Sequence, residues 1–167
     1  MPVRRLTEHD LESLWTLRLR ALAESPAAFG TTYDEALAQG NGAMLALLRQ
    51  TGDDAYYLGM SDDTLYGMVR FTRELGAKDR HKGEVSSLYV LPERRAHGAG
   101  RALLRELIAT ARQLAGLEQL HLAVVTENVA ARALYRALGF TTYGTTPHAL
   151  KLGARYWDED LMVLFLQ

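Results

Sequence analysis

Leu88-Tyr89-Val90-Leu91-Pro92-Glu93-Arg94-Arg95-Ala96-His97-Gly98-Ala99-Gly100-Arg101 is the stretch whose reading decides the fold. An apolar run of β character stops at Pro92, which has no N–H to give a ladder. A turn follows, and the chain then takes up helical spacing from Gly98 to Leu114, with Leu103, Leu104, Leu107, Ile108 and Ala111 on one face. The first amides of a helix have no partner within it and lie at the positive end of its dipole. Strand, glycine-containing turn and helix start therefore make an anion site. Gly98 and Gly100 carry no side chain to hold a phosphate off the backbone. Arg94, Arg95 and Arg101 stand against a single Glu93, so a pyrophosphate is a natural ligand. A solvated, charged helix start with capping glycines is the competing explanation. No third glycine follows at dinucleotide spacing and no Gly-Lys-Ser/Thr occurs, so neither nucleotide-binding fingerprint is present.

Working outward, the strand that feeds this turn runs from Glu84 to Leu91. Before it, Pro2 to Leu6 is a short strand, and Thr7 with Asp10 opens a helix by a capping box. Ser25-Pro26 ends that helix, and a second spans Asp34 to Gln50 with a break near Gly40-Asn41-Gly42. Tyr56 to Met60 and Leu65 to Phe71 form a hairpin across Asp62-Asp63. After the glycine-started helix come a buried strand, Leu120 to Val125, and a helix from Asn128 to Leu138 that Gly139 stops. Thr141 to Thr145 and Tyr156 to Leu166 close as strands. The order β-α-α-β-β-β-α-β-α-β-β predicts an α/β fold: a central twisted mixed sheet flanked by helices on both faces, in a single domain over residues 1–167.

Composition bounds the function. Of 167 residues, 48% are hydrophobic and 23% charged, which suffices for one full core. The net charge of −1 argues against a general grip on nucleic acid or an anionic membrane. With no cysteine, disulfides, zinc–thiolate sites, iron–sulfur clusters and a thiol nucleophile are excluded, and no metal site is expected. The apolar runs Ala43 to Leu48 and Leu161 to Leu166 are too short to span a bilayer, and no apolar run follows Arg4-Arg5, so the expectation is a cytoplasmic protein.

Two blocks carry a family resemblance. Arg95-Ala96-His97-Gly98-Ala99-Gly100 resembles the Arg/Gln-x-x-Gly-x-Gly/Ala signature of the GCN5-related N-acetyltransferases, and Ser87 to Pro92 resembles the strand before it. Asn128 to Phe140 is similar to the family's Asn-x-x-Ala-x-x-x-Tyr helix ending in Gly-Phe. Their separation and the element order match the family from end to end.

The resemblance implies acetyl-coenzyme A as donor and an acetyl transfer to a primary amine of a small molecule, amino acid or peptide; with no cysteine to form an acetyl-enzyme, direct transfer in a ternary complex is favoured. It implies that backbone groups of Leu88, Tyr89 and Val90 hold the acetyl carbonyl and pantetheine arm in a splayed part of the sheet. It implies that the amides of Ala96, His97, Gly98, Ala99, Gly100 and Arg101 hold the pyrophosphate, with Arg95 orienting the loop or touching phosphate. On the helix from Asn128, helical spacing sets Asn128, Ala131, Arg132 and Tyr135 on one face, toward the cofactor. Tyr135 is then the candidate general acid for the departing thiolate, with packing under the sheet as its other reading. Glu84, eleven residues before Arg95, is the candidate base, in the manner of the histone-type branch. Alternation puts Glu84, Ser86, Leu88 and Val90 on one face provided no bulge intervenes; the competing role for Glu84 is an ion pair with Lys82 or Arg80. Phe29, Tyr33, Arg73, His148 and Tyr156 are candidate acceptor-site liners, and the Asp158-Glu159-Asp160 run is either an attraction for a cationic amine or a solvated strand start. Two further readings stay open. One is a catalytically weak coenzyme A-binding sensor or interaction module of the same fold; the other is a phosphate-binding α/β protein of another family. A homodimer is compatible with the sequence, although no feature marks an interface.

Overall fold

The computed structural model describes residues 2–167. Strands β1 (Arg4–Arg5), β2 (Ala55–Ser61), β3 (Leu65–Arg73), β4 (Lys82–Val90), β5 (Gln119–Val125), β6 (Thr141–Leu152) and β7 (Arg155–Phe165) make one seven-stranded sheet in the order β1-β2-β3-β4-β5-β7-β6. The β4–β5 pairing is parallel and every other neighbour pair is antiparallel, so the sheet is mixed as the element order predicts. Helices α1 (Leu11–Glu24), α2 (Tyr33–Gln39) and α3 (Gly42–Leu48) cover one face; α4 (Ala99–Ala111) and α5 (Val129–Ala137) cover the other.

Each face has its own core. Leu14, Leu17 and Ala21 of α1 and Met44 and Leu47 of α3 pack with Tyr57, Met68 and Tyr89. On the other side, Leu103, Leu104 and Leu107 of α4 and Tyr135 of α5 pack with Tyr56, Val69, Phe71, Val85 and Val90. Close approach of α4 to the sheet is possible because Gly67 has no Cβ, which would lie 3.2 Å from Leu103 Cδ1. The Thr7 amide donates to Asp10 Oδ2 at 2.8 Å, the expected capping contact, and the same carboxylate holds Arg4.

The expected break in the second helix falls at Gly40-Asn41, where Gly40 has φ +70° and separates α2 from α3. A box not anticipated starts α2: Thr32 Oγ1 accepts from the Glu35 amide while the Glu35 carboxylate accepts from the Thr32 amide. Two expectations need correction. β6 does not stop at Thr145 but continues to Leu152, its pairing with β7 interrupted between Thr146 and Leu150. Pro147 removes one ladder donor there, and an edge strand tolerates that loss.

The second correction concerns β4. Ser87 has φ +55°, and the β3–β4 register slips between Met68 and Arg70, so Val69 alone faces Ser87 and Leu88. This is a β-bulge, and it inverts the alternation. Val85, Leu88 and Val90 share the α4 face and Tyr89 takes the α1 face. Glu84 and Ser86 therefore do not share a face with Leu88 and Val90.

Candidate active site

The parallel β4–β5 ladder is short. It pairs Lys82 with Gln119, Gly83 with Leu120 and Glu84 with His121, and then ends. Both strands continue, β4 to Val90 and β5 to Val125, but they diverge. The bulge at Ser87 bends β4 away at this point. The result is a cleft of about 250 Å³ through the middle of the sheet, walled by Glu84 to Leu88 on one side and Ala123 to Val125 on the other. Past Glu84, the edge of β4 that faces β5 has no strand partner, so its backbone groups are left for something in the cleft.

At the far end of β4 the turn forms the start of α4. Ala96 (φ +63°) and Gly98 (φ +81°) both lie in the left-handed region. The first helical bond is Ala102 N–H to Gly98 O, so the amides of Ala99, Gly100 and Arg101 are without intrahelical partners. A Cβ on Gly98 would point into open space, whereas one on Gly100 would meet Leu134 Cδ2 at 3.4 Å. Gly98 thus keeps the approach to the amides clear, while Gly100 lets α4 lie against α5.

The three arginines near this turn divide their work. Arg95 Nε donates to the Val90 carbonyl at 2.9 Å and its guanidinium lies 5.4 Å from the Tyr89 ring centre, so it braces the loop against the strand. Arg94 is paired with Asp62 at 2.7 Å and stacks on Tyr66. Arg101 is exposed at the helix start. His97 Nδ1 is 2.7 Å from the Arg95 carbonyl, which closes the turn.

From α5, Asn128, Ala131 and Tyr135 line the cleft. Asn128 also caps its helix, Oδ1 accepting from the Ala131 amide at 3.2 Å. Arg132 is turned elsewhere: it donates to the Thr126 carbonyl and pairs with buried Asp160 at 2.8 Å. Tyr135 is buried, with its ring edge-on to Phe140, and its hydroxyl meets no hydrogen-bonding partner among the described residues. Burial pushes the Tyr135 phenol up to about 12, so it holds its proton throughout the neutral range. Tyr89 is engaged on the α1 side, where its hydroxyl donates to Glu24.

Two carboxylates line the cleft, Glu84 on β4 and Glu159 on β7. Glu84 is exposed and makes no ion pair among the described residues; Lys82 is bound to Asp79 and Arg80 to Asp54. Glu159 is half-buried, and burial raises its carboxyl above the usual value. Their levels along the sheet differ. Glu84 pairs with His121 and Glu159 with Val125, roughly 13 Å further along β5 at about 3.3 Å per residue. Glu84 thus sits at the apex of the cleft, and Glu159 is level with Ser87 and Leu88.

The expected acceptor liners scatter. Phe29 lines the cleft and, with Tyr33, a neighbouring cavity that Trp157 also borders. His148 stacks on Tyr156 at 4.3 Å in the β6–β7 hairpin. Arg73 is at the far end of the molecule, donating to the carbonyls of Arg80 and Ala115. The acidic run splits three ways: Asp158 accepts from the His148 amide, Glu159 faces the cleft, and Asp160 is buried against Arg132 and Thr145. The sequence names Glu159 only within the acidic run and does not point to Arg18, and both line the cleft. Only pairing and packing, not spacing, bring them there.

A parallel strand pair parts over a helix start with free amides, and a second helix turns a tyrosine into the opening. The sequence pattern of the acetyltransferase (GNAT) family matches residues 16–140, and the chain belongs to that family. Over 90 residues it is 41% identical to the N-alpha-acetyltransferase RimI of Mycobacterium tuberculosis, covering 53% of this chain and 54% of that one. The chain spans about half or less of the length of the curated relatives it matches. A ribosomal-protein-alanine N-acetyltransferase from Brucella melitensis superposes with a TM-score of 0.85 at 26% identity, covering 99% of this chain and 100% of that one. A putative acetyltransferase from Salmonella typhimurium, solved with acetyl-CoA, gives 0.79 at 25% identity over 100% of this chain and 94% of that one.

Proposed function

We propose that the chain is an acetyl-CoA-dependent N-acetyltransferase that moves an acetyl group to a primary amine by direct transfer in a ternary complex. The observation that carries this is the parting of β4 and β5 after Glu84–His121, with Tyr135 facing the opening. The donor fits what is there. The unpartnered amides of Ala99, Gly100 and Arg101, with Gly98 open above them, suit a pyrophosphate. The unladdered edge of β4 suits an amide-bearing arm and a thioester carbonyl. Bound there, the donor supplies an activated acetyl carbon with a sulfur leaving group.

The chain's own groups must then place the amine and move protons. A lysine-type amine has a pKa near ~10.4 and arrives protonated at pH 7. The ammonium first loses one proton to solvent, which frees the lone pair; then, as the N–C bond forms and the C–S bond breaks, a second proton leaves nitrogen and one reaches sulfur, so that one proton is released overall. The nitrogen becomes strongly acidic during attack, so a carboxylate suffices to take its proton, directly or through water. Glu159 is level with the bulge and already raised in proton affinity, which favours it for this role; Glu84 at the apex is the second candidate. Tyr135 holds a proton at its phenolic oxygen. At about 12 it is a weaker acid than a thiol near ~8.5, so it gives the departing sulfur a hydrogen bond and releases its proton only as the amine's proton replaces it.

With no cysteine in the chain, an acetyl-cysteine intermediate cannot form, which supports direct transfer. Acceptor classes compatible with this reading are small amines, amino acids and peptide N-termini, the last supported by the RimI and Brucella relatives. The test is thiol release from acetyl-CoA across an amine panel with native protein and Tyr135→Phe. The expected result is turnover reduced about 10²-fold or more in the variant with donor affinity kept. Unchanged turnover removes Tyr135 from the mechanism, and no amine-dependent release in the native protein overturns the activity.

A further inference from the structure

Next to the cleft, on the α1 face, lies a second cavity of about 190 Å³ between α1, α2, α3 and the sheet. Two guanidinium groups line it, Arg18 from α1 and Arg70 from β3, with Gln39, Thr31, Trp15 and Tyr57. No carboxylate lines it among the described residues. Elsewhere the molecule neutralises its enclosed arginines: Arg73 meets Asp54, and Arg132 meets Asp160. Arg18 and Arg70 are the two half-buried arginines that meet no carboxylate among the described residues. Arg70 Nε is buried and meets no acceptor among the described residues; its guanidinium lies 5.9 Å from the Tyr57 ring centre. Arg18 reaches only Ser87 Oγ, at 3.4 Å. Taking a guanidinium out of water without a counter-charge is costly, and a planar fork with free donors is matched by a planar anion.

The cavity is joined to the reaction cleft, since Arg18 and Thr31 line both. Charge is graded across the pair: Arg70 lines the second cavity alone, Arg18 stands at the junction, and Glu84 and Glu159 line the cleft alone. A bound acceptor would thus meet positive charge at one end and negative charge at the other. We infer that Arg18 and Arg70 form a carboxylate-binding subsite and that the acceptor is an amino acid, its carboxylate on the arginine pair and its amine in the cleft. This rests on the acetyl-transfer reading and narrows its acceptor class. A peptide N-terminus has an amide where this subsite expects a charge.

The experiment compares free amino acids with their carboxamides and with aminoalkylphosphonates of matched length, reading kcat/KM for thiol release. Acids should exceed their amides by about tenfold or more, because a site built to bind a charged group rejects the analogue that lacks it. In Arg70→Gln that preference should fall to near one, and Arg70→Lys should restore part of it. Amides equal to acids in the native protein, or an unchanged preference in Arg70→Gln, overturn the subsite. Phosphonates preferred over carboxylates would reassign it to a phosphate-type group. If no amine turns over, the acetyl-transfer reading fails by itself, and the subsite is read by fluorescence of Trp15, which lines the cavity, in a Trp157→Phe background. Saturable quenching by the acids, not the amides, and lost in Arg70→Gln supports it; no response to any acid overturns it.

Discussion

Glu159 illustrates how one side chain's chemistry depends on neighbours far away in sequence. It lies in an acidic run that reads as solvated, yet pairing with Val125 carries it to the wall of the cleft, where burial raises its pKa. A base works only when deprotonated, so activity climbs as pH rises through that raised value. Glu159→Gln should abolish this rising limb and reduce turnover at neutral pH by about 10²-fold or more. If Glu84→Gln flattens the limb instead, the base is Glu84. Stability should move the opposite way. A carboxyl whose folded pKa exceeds its unfolded value costs stability above the folded pKa, and the cost disappears as pH falls toward the unfolded value. Glu159→Gln should therefore raise the urea midpoint at pH 7, with the gain shrinking toward pH 4. Asp160, the next residue, is inverted in role: it is buried, paired with Arg132, and holds Thr145.

At the scale of elements, β4 decides what the site can be. A regular strand would have continued to ladder with β5 and put Glu84, Ser86, Leu88 and Val90 on one face. The extra residue at Ser87 breaks that alternation, bends the strand and opens the cleft. Ser87 pays for this with a left-handed φ of +55°, a conformation costly to residues with a Cβ and worst for β-branched ones. Ser87→Gly should stay within about 0.5 kcal/mol of the native protein, because relief of strain offsets added chain entropy. Ser87→Val should lose roughly 1–2 kcal/mol. Were the strand regular here, valine would be the better residue and the order in urea unfolding would reverse. The glycine-started helix α4 was readable because its signals are local: a proline, two glycines and apolar residues at helical spacing. β6 runs past Thr145, where the sequence ends it: Pro147 gives the ladder no donor, and only the position of β6 as an edge strand lets it continue.

For the whole molecule, one sheet carries two cores back to back, and every strand from β1 to β7 belongs to it. We expect the two sides to unfold together as one domain. Leu103, fully buried on α4, is the test position. Leu103→Ala should cost about 2–5 kcal/mol through lost burial and the cavity it leaves. Because Trp15 packs on the opposite side of the sheet, its fluorescence in a Trp157→Phe background should report the same lowered midpoint as the far-ultraviolet signal. Separate transitions would show two independently folding halves.

By itself the sequence determined the element order, the mixed α/β class, the glycine-opened helix start at Gly98, the second helix with Tyr135 and, through the absence of cysteine, the exclusion of a thiol intermediate. Those features depend on residues within a few positions of one another, where glycine, proline and apolar spacing act directly on the backbone. The tertiary structure alone decided where β4 bulges, that Glu159 joins Glu84 in the cleft, that Arg132 leaves it for Asp160, and that Arg18 and Arg70 line one cavity. Each of these is a long-range juxtaposition. Strand register and helix docking set it by minimising exposed apolar surface over the whole sheet, and no short window of sequence carries that information.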